Sequence, residues 1–130
     1  MEDLSESDPL PGLRVGITYN LKKGIVADAA DIEAEYDHID TIHAIQTALE
    51  AAKCQVTLFE ANRDLPEKLK TLPVDIIFNV AEGIGGRGRE AQVPAMLSLF
   101  GIPCTGSDET TLCLALDKSL TKRVLATWKI

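Results

Sequence analysis

The 130 residues fit one ordinary domain, with a core large enough to fold without disulfides or a structural metal. A hydrophobic fraction of 45% and a charged fraction of 25% are those of a soluble globular protein. The net charge of −7 speaks against a nucleic-acid partner, which demands a basic surface. No apolar run approaches the ~20 residues of a membrane helix, so no membrane partner is expected either.

Residues 1–12 are acidic, carry Pro9 and Pro11, and lack the basic-then-apolar order of a signal peptide. They read as a flexible leader, and the protein is expected to be cytoplasmic. Leu13–Tyr19 is rich in β-branched residues and forms the first strand. The long polar stretch from Asn20 to Asp37 reads as a loop of functional length. Asp40 or Thr41 caps a helix whose apolar positions are Ile42, Ile45, Leu49 and Ala52. Cys54–Phe59 is a second strand, and Leu65–Leu72 a short helix with Pro66 in its first turn. Val74–Val80 is a third strand, apolar enough to be covered on both faces. After the glycine-rich turn Glu82–Arg89, a helix over Ala91–Phe100 presents Val93, Met96, Leu97 and Phe100 to one side and stops at Gly101.

Ile102–Thr105 is a short fourth strand, Thr105–Asp108 a turn with a helix cap, and residues 110–128 one amphipathic helix. Strands alternating with helices mean an α/β fold: a parallel sheet with helices on both faces, in one domain over residues 13–130. Cys54, Cys104 and Cys113 are odd in number and show no C-x-x-C spacing, so plain small core residues are expected, not a disulfide framework or zinc site. The chain stops at Trp128-Lys129-Ile130 without a turn signal, as a fragment would.

Open parallel sheets bind ligands beyond the carboxyl ends of their strands. Three segments lie there: the first loop with Glu33, Glu35, Asp37 and His38, the run Ala81–Glu90, and Thr105–Asp108. The middle run is the most informative. Its glycines, Gly83 first among them, let backbone approach a ligand, and the following helix directs free N–H groups and its positive dipole end at the loop. Glu82 can accept from a substrate ammonium, while Arg87 and Arg89 supply charge for a carboxylate or phosphate. The bland alternative is a surface loop with solvated arginines. Likewise Asp117, Lys118 and Lys122 fit an ordinary surface pattern one turn apart, and His38 and His43 read as helix-start or surface residues. No phosphate loop, dinucleotide fingerprint, nucleophilic triad or histidine-rich metal spacing is present.

Phe78-Asn79-Val80 before a glycine loop, then Leu97-Ser98-Leu99-Phe100-Gly101-Ile102-Pro103-Cys104-Thr105-Gly106-Ser107, then Leu114-Ala115-Leu116-Asp117-Lys118 with Thr121-Lys122, strongly resemble D-alanine–D-alanine ligases of the ATP-grasp superfamily. The likeness is sharp over residues 74–130 and looser before. It implies the Rossmann-like N-terminal, pre-ATP-grasp domain of an ATP-dependent ligase, with the ATP-grasp domains outside this chain and the isolated chain inactive. In that family ATP phosphorylates the carboxylate of one D-alanine, magnesium offsets the phosphate charge, and the amine of a second D-alanine attacks, giving a peptidoglycan precursor. The resemblance implies that Lys118 contacts ATP, that Glu35 holds the first substrate's ammonium, and that a homodimer forms through this domain. Two segments depart from the common pattern. Glu82-Gly83 stands where a His-Gly pair is usual, and Tyr19-Asn20-Leu21-Lys22-Lys23 replaces a Gly-Gly-x-Ser stretch. They imply as alternatives a related carboxylate–amine ligase using another amino acid, or a stand-alone non-catalytic α/β binding module.

Overall fold

The computed structural model describes residues 12–22 and 37–130. Its elements follow the alternating order: β1 (Arg14–Tyr19), α1 (Ile39–Ala51), β2 (Gln55–Glu60), α2 (Leu65–Thr71), β3 (Ile76–Asn79), a 3-10 turn (Arg89–Ala91), α3 (Gln92–Phe100), α4 (Glu109–Leu116) and α5 (Lys118–Thr127). Among the described residues the strands form a parallel sheet in the order β2-β1-β3. The chain therefore winds outward from a central first strand in both directions, as a Rossmann-like fold does. The Glu35 expected to meet a substrate ammonium, its neighbour Glu33 and the leader up to residue 11 lie outside the described residues.

Strand alternation sorts the core into two layers. Ile17 and Tyr19 of β1 face α1 through Ile42, with Ile45, Leu49 and Phe78 packed beside them. Phe59 and Ile77 point to the other side and pack against Leu65 and Leu69 of α2 and Val93 and Leu97 of α3. Burying each of these large side chains contributes about 1.5–3 kcal/mol. Gly16 makes the second layer possible. A Cβ there would lie 2.5 Å from Cδ1 of Ile77 and 2.8 Å from Cε2 of Phe59, so the Phe59 ring and the Ile77 side chain meet over a missing side chain. At the strand starts, the Arg14 guanidinium and backbone N–H hold Asp75 in a clamp, with Nη2 to Oδ1 at 2.6 Å. The bonds from Arg14 keep that carboxyl at about 2.

Several expectations need correction. The fourth strand reduces to one parallel bridge, Ile77 with Cys104. The Pro103 carbonyl accepts from Ile77 N–H and Thr105 N–H donates to the Ile77 carbonyl. The next ladder bond is lost because the Thr105 hydroxyl, not a carbonyl, accepts from Asn79 N–H at 3.1 Å. The helix expected over residues 110–128 is two helices, broken at Asp117, whose ψ of 92° is extended. Phe100 is 37% exposed and does not join Val93 and Leu97. Gly101, at φ 68°, turns the chain so that Ile102 packs on that core instead. Helix α1 begins at Ile39 behind an extended His38 with no side-chain cap; Asp40, expected as a cap, lies in its first turn. Among the free cysteines, Cys54 is buried and Cys104 half-buried, but Cys113 is exposed and no core residue.

Substituting Gly16→Val should lower stability by about 1–3 kcal/mol, the usual cost of overpacking a filled core. Thermal unfolding by circular dichroism measures it, and an unchanged midpoint would mean that Phe59 and Ile77 yield without cost.

Candidate functional site

All three strands end on the same edge of the parallel sheet, and one side chain joins their tips. Asn20 follows β1 and is 7% exposed. Its Nδ2 donates to the Ala61 carbonyl, just past β2, at 2.9 Å. Its Oδ1 accepts from the N–H groups of Glu82 and Gly83, past β3, both at 3.0 Å. Asn79 makes a second tie: its Oδ1 accepts from the Thr18 hydroxyl at 2.7 Å and from Ala81 N–H at 3.2 Å. Neither asparagine stood out in the sequence as part of a site. The only signal was a lone polar residue at the tip of an apolar strand.

Over these tips lies a cavity of about 160 Å³. Its wall is formed by Asn79–Glu82, Glu90, Thr105, Gly106, Ser107 and Leu112, so the strand-three tip and the turn after residue 104 meet there, as expected. The volume is below the roughly 300 Å³ at which pockets begin to take drug-sized ligands. Glu82 is half-buried in this wall, and burial, with the charges of Glu90 and Asp37 adding to it, raises its carboxyl above the ordinary range. Glu82, Glu90 and Asp37 thus set like charges close together, a repulsion that a bound cation would relieve, with Arg89 standing 4.0 Å from Glu90. Asp37 comes close because the chain returns there: its N–H donates to the Asn20 carbonyl at 3.1 Å and it bridges to Leu21.

The other residues expected at the site take different places. Gly83 is required by packing: at φ +82°, a Cβ would sit 2.0 Å from the Arg89 carbonyl oxygen, and its N–H points to Asn20 rather than outward. Arg89 is mostly buried, with 18% of its side chain exposed, and lies 4.0 Å from Glu90. Arg87 turns away from the cavity and pairs with Asp117 through Nε at 2.9 Å and through Nη2. Lys118, exposed, is the first residue of α5. Fewer helical N–H donors face the glycine loop than expected, because Ala91 N–H bonds the Gly88 carbonyl and Pro94 has none to give. The loop is held instead by Gln92, which accepts from Ile84 N–H at 2.9 Å and donates to the Gly85 carbonyl at 2.8 Å. Asp108 caps α4 by accepting from Thr111 N–H, as the sequence implied. Among the described residues no group of three or more His, Cys, Asp or Glu is placed to hold a metal ion. No described helix is long and apolar enough to cross a membrane.

Asn20→Ala should destabilise the chain by about 2–4 kcal/mol, because it removes the acceptor shared by two N–H groups and the donor to Ala61. Chemical denaturation reads this, and a loss below 1 kcal/mol would show that the tips stay joined without it. Glu82→Gln should act in the opposite direction. A carboxyl raised in the folded state contributes stability that is full below its unfolded value and lost as the pH rises through the folded value. The variant is expected to unfold at a higher temperature at pH 7 and to match the parent near pH 3; equal midpoints at both would remove the like-charge repulsion.

No family model matches the chain. Curated D-alanine–D-alanine ligases are similar to it. That of Moorella thermoacetica is 34% identical over 82 residues, 63% of this chain and 26% of the relative. That of Zymomonas mobilis subsp. mobilis is 36% identical over 78 residues, 60% of this chain and 24% of the relative. That of Erythrobacter litoralis is 35% identical over 81 residues, 62% of this chain and 24% of the relative. The resemblance to these ligases read from the motifs is thus found across the greater part of the chain. The chain spans about a quarter of the length of the curated relatives it matches.

Proposed function

We propose that residues 13–130 are the substrate-side, pre-ATP-grasp domain of a cytoplasmic ATP-dependent D-alanine–D-alanine ligase that makes a peptidoglycan precursor. The observation that carries this reading is the similarity to several D-alanine–D-alanine ligases over about 80 residues. The joined strand tips support it, since they give the similar region a small acidic cavity at the position where such folds bind ligands. ATP, when bound, supplies the phosphoryl group that activates the carboxylate of one amino acid toward the amine of a second.

The roles proposed for this chain's own residues follow from chemistry and position. Glu82 holds the ammonium of the amino acid: the like-charge repulsion around it makes a cation welcome and a second anion costly. Glu35 is proposed to share that ammonium. Asn20 keeps Glu82 at the cavity by fixing its backbone. Lys118, presented by the first turn of α5, meets the phosphates of ATP. Magnesium would be held by residues of the ligase beyond the described ones. Dimerisation through this domain is part of the same reading. Glu82-Gly83, in the place of the family's usual His-Gly pair, favours a second reading in which the amino acid is not D-alanine.

The test uses the ligase that carries this chain together with the ATP-grasp region, assayed by ADP release across a panel of amino acids. D-alanine should give turnover. Glu82→Gln should raise the KM for the amino acid about tenfold or more, the worth of one charge-assisted hydrogen bond, with the KM for ATP unchanged. Lys118→Ala should do the reverse. Turnover with another amino acid alone selects the second reading, and no ADP release with any would sink both.

A further inference from the structure

We propose that Arg87 is a positioning residue: it reaches from the glycine loop to Asp117 and so fixes the first turn of α5, on which Lys118 stands. The inference rests on the reading of Lys118 as the residue that meets ATP. Its starting point is the division of labour within one carboxylate. Oδ2 of Asp117 accepts from Arg87, and Oδ1 accepts from the Leu120 N–H at 2.9 Å. Both oxygens are committed, so the carboxylate's rotation is set from two sides. The backbone that continues directly into Lys118 inherits that orientation.

An exposed ion pair is ordinarily a weak contact, easily overridden by packing. Here little packing opposes it. No residue of α5 is buried, and α5 is not a continuation of α4, because the helix breaks at Asp117. The polar contacts that tie α5 to its neighbours are few: the Thr121 hydroxyl donates to the Leu114 carbonyl of α4 at 2.5 Å, and Asp117, which caps α5, accepts from Arg87. Arg87, Gly88, Cys113, Asp117 and Leu120 line an open surface hollow of about 340 Å³, so the ion pair stands beside space and not against a packed core. Gly88 lies against α4, where a Cβ would come within 3.2 Å of the Cys113 Sγ. The loop and the helix are therefore near enough for one arginine to span them.

The experiment compares Arg87→Gln, Arg87→Lys, Lys118→Ala and the Arg87→Gln/Lys118→Ala pair in the same ligase. Arg87→Gln should raise the KM for ATP about two- to fivefold, the effect of one exposed ion pair, and leave the KM for the amino acid alone. Arg87→Lys should recover most of that loss, and the double variant should be no worse than Lys118→Ala. A rise in the amino-acid KM would make Arg87 a substrate contact and overturn the proposal, as would additive losses in the double variant. Amide exchange gives an independent reading. Arg87→Gln should speed exchange at Leu120 and Thr121; unchanged exchange there overturns the positioning role. If Lys118→Ala leaves the KM for ATP unaltered while exchange does speed up, the ATP role has failed and the latch stands.

Discussion

One side-chain amide holds the working edge of this fold together. Parallel strands end on the same side of the sheet, but nothing in their ladders fixes the chain beyond the last pair, and each departing loop carries unpaired backbone groups. Asn20 meets that need at three strands at once, with one donor turned to the segment after β2 and one acceptor shared by two N–H groups after β3. An asparagine suits the position because it offers both a donor and an acceptor on a short stem. Aspartate would lack the donor, and leucine would match the shape with neither. The placement of Glu82 and Gly83 at the cavity follows from this contact, while Gln92 holds the glycine loop beyond them.

The cavity shows the tension between a stable fold and a usable one. A half-buried carboxylate flanked by Glu90 and Asp37 is a poor way to stabilise a domain. It is a good way to prefer a small cation that arrives with its own hydrogen-bond donors, since the ligand relieves a repulsion already present. By contrast the Arg14–Asp75 clamp at the opposite edge satisfies its charges internally and leaves nothing to recruit a ligand. The pair at the strand starts is closed on itself, whereas carboxylates crowd one another where the strands' carboxyl ends gather.

Much of the fold was legible in the chain, and the reasons for the exceptions are local. The strands at Arg14–Tyr19, Gln55–Glu60 and Ile76–Asn79 and the first three helices follow from periodicity and from punctuation by Pro66 and Gly101. The break at Asp117 was missed because Leu114-Ala115-Leu116-Asp117-Lys118 contains no glycine or proline. The interruption comes from a carboxylate that caps the next turn, and a cap inside an amphipathic run leaves the pattern unchanged. The fourth strand was overstated because Pro103 and the Thr105 hydroxyl consume ladder positions that residue types alone suggested were free. At the site, Glu82 was singled out from its place at a strand end, and the structure puts it in the cavity wall. Arg87 was misdirected because its formal charge says what it can bind but not which way it turns. Asn20 could not be singled out, since its importance lies in contacts with residues 61, 82 and 83, which only the folded sheet brings together.

Helix α5 buries none of its residues, Leu125 is partly exposed, and Trp128 at its C-terminal end stands largely in the open. Cooperative unfolding spreads the full stability of a core only to segments that share that core. This helix carries no buried residue and so draws little on that core, and the polar contacts at its root are the Arg87–Asp117 pair and the hydrogen bond from Thr121 to Leu114. The chain thus joins two mechanical regimes, a stiff platform of strand tips and a loosely hung arm whose conformation is decided by a few polar contacts at its root.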